Sequence, residues 1–182
     1  YPSKHSEKYE YAINIVFGEF LCIPYTLRTV DRDSVLVSAM GKKMKIATGF
    51  LEELIGPSEF SVRELKKLEK WDSQTVELDI ALIDKHVHIL YGDPSVTIEN
   101  ESIDISFDIF GATFFMLSRY EEYLVSERDS YGRFPAKSSV SYRCGFLNRP
   151  LVDEYVEIIW SLMKVLWPHL ERKKHDFKIM PT

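Results

Sequence analysis

Residues 108–124 read DIFGATFFMLSRYEEYL, and this stretch fixes how the rest of the chain is understood. Asp108 stands where a helix N-cap belongs, its short carboxylate able to accept a bond from a first-turn N–H. Ile109, Thr113, Met116, Tyr120 and Leu124 form one helical stripe, and Phe110, Phe114 and Leu117 widen it. A helix apolar nearly all round lies in a core rather than on a surface. Charge arrives only at Arg119, Glu121 and Glu122, so the stretch predicts one helix that leaves the core at its C-terminal end.

Upstream, Ile103, Ile105 and Phe107 alternate and predict a strand with one buried face. Ser34 to Ala39 and Met44 to Thr48 flank Gly41 as a hairpin, and Val76 to Ile83 and His86 to Tyr91 flank Asp84-Lys85 as another. Ser95 to Ile98 adds a strand after Gly92-Asp93-Pro94. Tyr25 to Arg28 reads as a further strand and Gly49 to Ile55 as a helical turn. The chain opens with a helix capped by Ser6, with Tyr9, Ala12, Ile13, Val16, Phe17 and Phe20 at helical spacing, stopped by Pro24. Ser61-Val62-Arg63-Glu64 has the capping-box form and predicts a short charged helix through Lys70. A last helix starts with Pro150 at its first position and runs through Val152, Tyr155, Ile159, Leu162 and Leu166 to Trp167-Pro168. Phe177 to Met180 resembles a strand beginning. These elements predict a single α+β domain with a mixed or largely antiparallel sheet packed with helices.

Bulk composition narrows the function. With 182 residues, 45% of them hydrophobic, one domain with a filled core is expected. A net charge of −5 argues against nucleic acid as a partner. No apolar run approaches the ~20 residues of a membrane span. The sequence leaves location open, with the cytoplasm as the expectation. Cys22 and Cys144 lack ligand spacing and are expected as buried thiols.

The connection from Val125 to Asn148 is longer than the ~12–15 residues common in compact domains. Between Arg128 and Arg149 lie five basic residues and a single acidic one, Asp129, a local balance of +4. Arginine forks suit carboxylate and phosphate groups. Arg119, Glu122, Arg128, Arg133, Tyr142 and Arg143 are therefore the candidate ligand-binding residues. The plainer reading is that these arginines pair with Glu121, Glu122, Asp153 and Glu154 and pin the loop to its flanking helices. His86 and His88 share one side of a strand, a spacing usable for a metal, although alternation with Val87, Ile89 and Tyr91 more simply gives a polar strand face. No glycine-rich phosphate loop, nucleophile elbow or paired-cysteine zinc pattern occurs.

The segments DIFGATFFMLSRYEEY (108–123), RDSYGRFPAKSSVSYRCGFLNRPLVDEYVEIIW (128–160) and FKIMPT (177–182) together resemble the N-terminal region of bacterial polysaccharide deacetylase-like proteins. The opening helix and PYTLR (24–28) share the likeness more loosely. The resemblance implies an accessory domain over 1–176, with 177–182 as the first strand of a following deacetylase-like barrel. In such proteins that strand runs into a His-Asp-x-Asp motif, so the catalytic residues and any zinc would belong to the barrel. The partners implied are that C-terminal domain and cell-surface or capsular polysaccharide, and an uncovered strand edge near Phe177 would favour self-association.

Three functions follow as expectations. The first is a non-catalytic accessory domain that packs against or orients the barrel. The second is a binding module for an anionic saccharide or phosphate-bearing ligand through the Arg128–Arg149 loop. The third is a metal-dependent hydrolase built on Asp108, Glu121 or the histidine pair.

Overall fold

Every apolar residue at the predicted spacing of the first helix except Phe20 is buried, and the helix itself is made in two parts. The computed structural model describes residues 1–55, 68–78 and 80–172. Helix α1 spans Ser6–Ile13 and continues as a π-helical segment, Asn14–Phe20. The wider winding shows in Leu21 N–H donating to Val16 O at 2.9 Å. The N-cap is His5, left-handed at φ 53°, rather than Ser6. Tyr25 to Arg28 is not a strand. That segment runs extended beside the N-terminus instead, where Pro2 bridges Val30 and the Tyr25 hydroxyl donates to Asn14 Oδ1 at 2.6 Å.

Strands β1 (Ser34–Ala39) and β2 (Lys42–Ala47) form the expected hairpin. Its two-residue turn, Met40-Gly41, has both φ values positive, at 51° and 79°. The sheet also contains β5 (Gly92–Ile98) and β6 (Ser102–Phe107), in the order β1-β2-β6-β5. β2 and β6 run parallel and the other pairs antiparallel, so the sheet is mixed and the domain is α+β. Between them in the chain lies α2 (Phe50–Ile55).

The second hairpin is displaced from its expected place. Its first strand is β3 (Glu69–Asp72), which pairs antiparallel with β4 (His86–Ile89). Residues Ser73–Val76 are a 3₁₀ turn instead of a strand start. Glu69 and Lys70 therefore belong to a strand, held by Trp71, whose ring is fully buried beside Phe107. The capping box at Ser61 and the closing segment 177–182 lie outside the described residues.

Helix α3 (Ile109–Leu117) is buried over its first turns, while Phe114 and Met116 are half-buried and Leu117 is exposed, and it ends earlier than expected. Arg119 turns left-handed at φ 53° and a separate turn, α4 (Tyr120–Leu124), starts in a new direction. The following connection contains a 3₁₀ turn (Ala136–Ser138) and α5 (Val140–Arg143). Helix α6 (Leu151–Leu166) closes the core, with Pro150 as N-cap rather than first residue. Lys42 from β2 donates its Nζ to Leu166 O at 2.7 Å, satisfying one orphan carbonyl at the helix end. Cys22 and Cys144 form no disulfide and are half-buried rather than core thiols.

One buried carboxylate joins three helices. Asp108 accepts from Gly111 N at 2.7 Å, from Phe50 N at 3.0 Å and from the Tyr9 hydroxyl at 3.1 Å. Burial raises its pKa to about 6 against those hydrogen bonds, which pull the other way.

Candidate functional site

The break at Arg119 positions the charged cluster. Without it, Glu121 and Glu122 would continue along a core helix. With it, they project from a short turn about 100° apart and face different neighbours. Glu122 takes the Arg119 guanidinium, with Nε to Oε1 at 2.6 Å. Glu121 accepts Val140 N–H at 2.6 Å and faces Arg143 at 3.7 Å, so it ties α4 to α5. Burial pushes the Glu121 carboxyl above its ordinary range, opposed by Val140 N–H and Arg143.

Arg128 closes the end of α4. Its Nη1 donates to Val125 O and Glu127 O, both at 2.7 Å, and its Nη2 to Glu122 O at 2.8 Å. A cation at a helix C-terminus is favourable and satisfies carbonyls that the helix cannot. Asp129 then folds the loop on itself, accepting Tyr131 N at 2.8 Å, Arg133 N at 2.9 Å and Arg133 Nε at 3.1 Å. The Arg133 N–H leads the groups that hold its carboxyl below the ordinary range. The Arg133 guanidinium also lies 4.8 Å over the Tyr131 ring.

Arg119, Glu122, Arg128, Asp129, Arg133 and Pro135 line one cleft of about 620 Å³. Four of the six expected ligand-binding residues thus share a site. Tyr142 and Arg143 do not line it, because they sit on α5, where Arg143 meets Glu121. Asp129, which the sequence marked only as the loop's lone acid, is a wall of the cleft and its turn-former. Arg119 and Arg133 are 75% and 71% exposed, so solvent screens their surface ion pairs and opening them costs little. Arg128 is different, because its donors serve three carbonyls. Arg119 and Arg133 could turn to an incoming anion, while Arg128 would hold the frame.

Asp108, Glu121 and the histidines lie in separate surroundings. His86 faces Asp84 at 3.3 Å and Asp72 at 3.7 Å. His88 is not on a polar face, since it is buried with its ring 5.1 Å from Phe146 and its pKa lowered to about 4, chiefly by burial. Among the described residues no group of three His, Cys, Asp or Glu is placed to hold a metal ion. Glu154 is buried with Arg149, which also donates to His86 O at 2.7 Å. Asp153 takes no part in these pairs.

A second opening is larger and apolar. A groove of about 1060 Å³ runs between the outer edge of β1, which no described strand pairs, the segment after Ile23 and the end of α6. Tyr25, Leu36, Met40, Leu166 and Trp167 line it, and Met40 is 94% exposed. Arg28, Arg32 and Lys42 are its charged neighbours, and among the described residues no carboxylate lines it. Among the described residues no helix is long and apolar enough to cross a membrane.

The profile of one family, described as "Family of unknown function (DUF7033)", matches residues 1–168, and the chain belongs to that family. No curated protein and no solved structure matches it.

Proposed function

We propose that this DUF7033 member is a non-catalytic accessory domain that packs against a deacetylase-like barrel following it in the same protein. The observation that carries the reading is the apolar groove along the outer edge of β1. A strand edge that no other described strand pairs, beside exposed Leu36 and Met40, is a surface that proteins normally cover. The likeness of residues 108–123 and 128–160 to the N-terminal region of polysaccharide deacetylase-like proteins supports the same reading. With Arg28, Arg32 and Lys42 at its border, the groove suits a partner surface that is apolar with acidic groups at the rim.

The test uses the barrel produced separately and mixed with this chain. Binding is expected, and Met40→Asp should weaken it about tenfold, the loss of one buried apolar anchor. Aspartate tolerates the left-handed backbone at position 40, so the variant should fold. Failure to bind, or acetyl release from oligosaccharide by this chain alone with added zinc, overturns the proposal.

A second reading has one observation in its favour, the convergence of Arg119, Arg128 and Arg133 on a single cleft. It makes that cleft a site for a carboxylate- or phosphate-bearing saccharide. Saturable binding of an acidic oligosaccharide, lost in Arg133→Ala and weakened by salt, is its signature.

A further inference from the structure

Four aromatic rings from three helices stand in series on the surface beside the charged cleft. Tyr11 of α1 meets Phe114 of α3 edge-on, with centroids 5.9 Å apart. Phe114 meets Tyr120 at 5.5 Å, and Tyr120 meets Tyr123 at 5.6 Å, both on α4. The left-handed residue Arg119 separates α4 from α3, and Tyr120 just beyond it packs on Phe114. Tyr123 is 80% exposed and Tyr11 41%, so the two ends are the most open rings.

Phe114 and Tyr120 are half-buried against the core, yet the chain leaves the end rings, Tyr11 and Tyr123, at the surface. Their company argues about what they face. Lys8 Nζ lies 6.0 Å over the Phe114 ring, and Glu122, paired with Arg119, sits on the same short helix as Tyr120 and Tyr123. Protein interface cores are depleted of lysine and glutamate, though not of tyrosine or arginine. A row of rings with charged and polar groups on its flanks is instead matched to a molecule with apolar faces and a hydrogen-bonding rim. A pyranose is such a molecule, with axial C–H groups on its face and hydroxyls around its edge. Tyrosine adds a rigid ring with little rotamer entropy to lose and a phenol that hydrogen-bonds.

We infer that the Tyr11–Phe114–Tyr120–Tyr123 row is a binding platform for a neutral, extended oligosaccharide, with Tyr123 and Tyr11 stacking on sugar rings and Arg119 and Glu122 bonding to hydroxyls. A neutral ligand fits because Arg119 and Glu122 already neutralise each other, and a hydroxyl can accept from one and donate to the other without parting them. None of the four rings lines the docking groove, although Ile13 of α1 does, so the two surfaces can be tested separately.

Calorimetric titration of this chain with cellohexaose tests it, at low and at high salt. Saturable binding with little salt dependence is expected, about tenfold weaker in Tyr123→Ala and weaker again in Tyr11→Ala. Tyr123 is exposed enough that its removal should leave the thermal melt unchanged, which separates lost binding from lost folding. No binding at millimolar cellohexaose overturns the inference. So does binding indifferent to Tyr123→Ala, or binding that disappears with salt and with Arg133→Ala while the tyrosines remain. A Tyr123→Ala variant that changes only sedimentation would mark the row as a protein-facing surface and equally overturn it.

Discussion

The Tyr9 hydroxyl donates to Asp108 Oδ2 at 3.1 Å across 99 residues of sequence, within reach of a second carboxylate, Glu52 Oε2, at 3.2 Å. One phenolic proton cannot serve both acceptors, and Gly49 N–H also points at the same oxygen at 3.3 Å. Burial and the facing Asp108 both hold the Tyr9 phenol protonated. This contact binds the first helix to the start of α2 and to the cap of α3.

Replacing Asp108 by Asn should therefore cost about 1–3 kcal/mol, because an amide NH₂ would meet N–H donors from Gly111 or Phe50. Chemical denaturation with an unchanged slope checks it. A cost below about 0.5 kcal/mol would mean that the three helices are held by packing alone.

Two buried groups pull on stability in opposite directions as pH changes. Asp108 titrates near 6 in the fold against an ordinary 3.8, so the folded state holds the extra proton between those values. Its contribution is full below about 4 and is lost as pH rises through 6. His88 titrates near 4 against an ordinary 6.5, so the unfolded state holds the extra proton. Its contribution is full above 6.5 and is lost as pH falls through 4. The two slopes offset each other between about pH 4 and 6, each unit being worth about 1.4 kcal/mol. The wild-type chain should show a nearly flat stability there from these groups. Asp108→Asn should become less stable on acidification, and His88→Gln less stable on raising the pH. Parallel slopes in the two variants would contradict the assignment.

Arg149 and Glu154 are almost wholly buried together. Arg149→Met should cost about 3–5 kcal/mol by leaving the Glu154 charge without its partner. Adding Glu154→Leu should recover most of that loss, although the bond from Arg149 to His86 O stays broken. A double variant no more stable than the single one would show that the bond to the β4 backbone, not the ion pair, holds α6 in place.

The sequence announces Asp108 clearly, since a short acid directly before an apolar run has one common role. It announces β6, the first hairpin and α6 for equally local reasons. The break at Arg119 leaves no local mark, because Ser118-Arg119 has neither Gly nor Pro. It is made by Ser118 Oγ donating to Phe114 O at 2.6 Å and by Tyr120 settling on Phe114, a contact that only folding supplies. For the same reason the tyrosine row was invisible, its members being spread over three helices. Strand β3 is hidden because Trp71 is its single buried apolar residue, and charged neighbours read as a helix surface. Within the cleft, the arginines and Glu122 were legible by type. Asp129 could have been found from its four-residue spacing to Arg133 inside a Gly-containing turn.

The accessory-domain account is tested most directly by backbone hydrogen exchange along β1, measured in this chain alone and in the protein carrying the barrel. Amides from Leu36 to Met40 should exchange markedly more slowly when the barrel is attached, because the edge of β1 and its groove are then covered. Identical exchange in the two would contradict it.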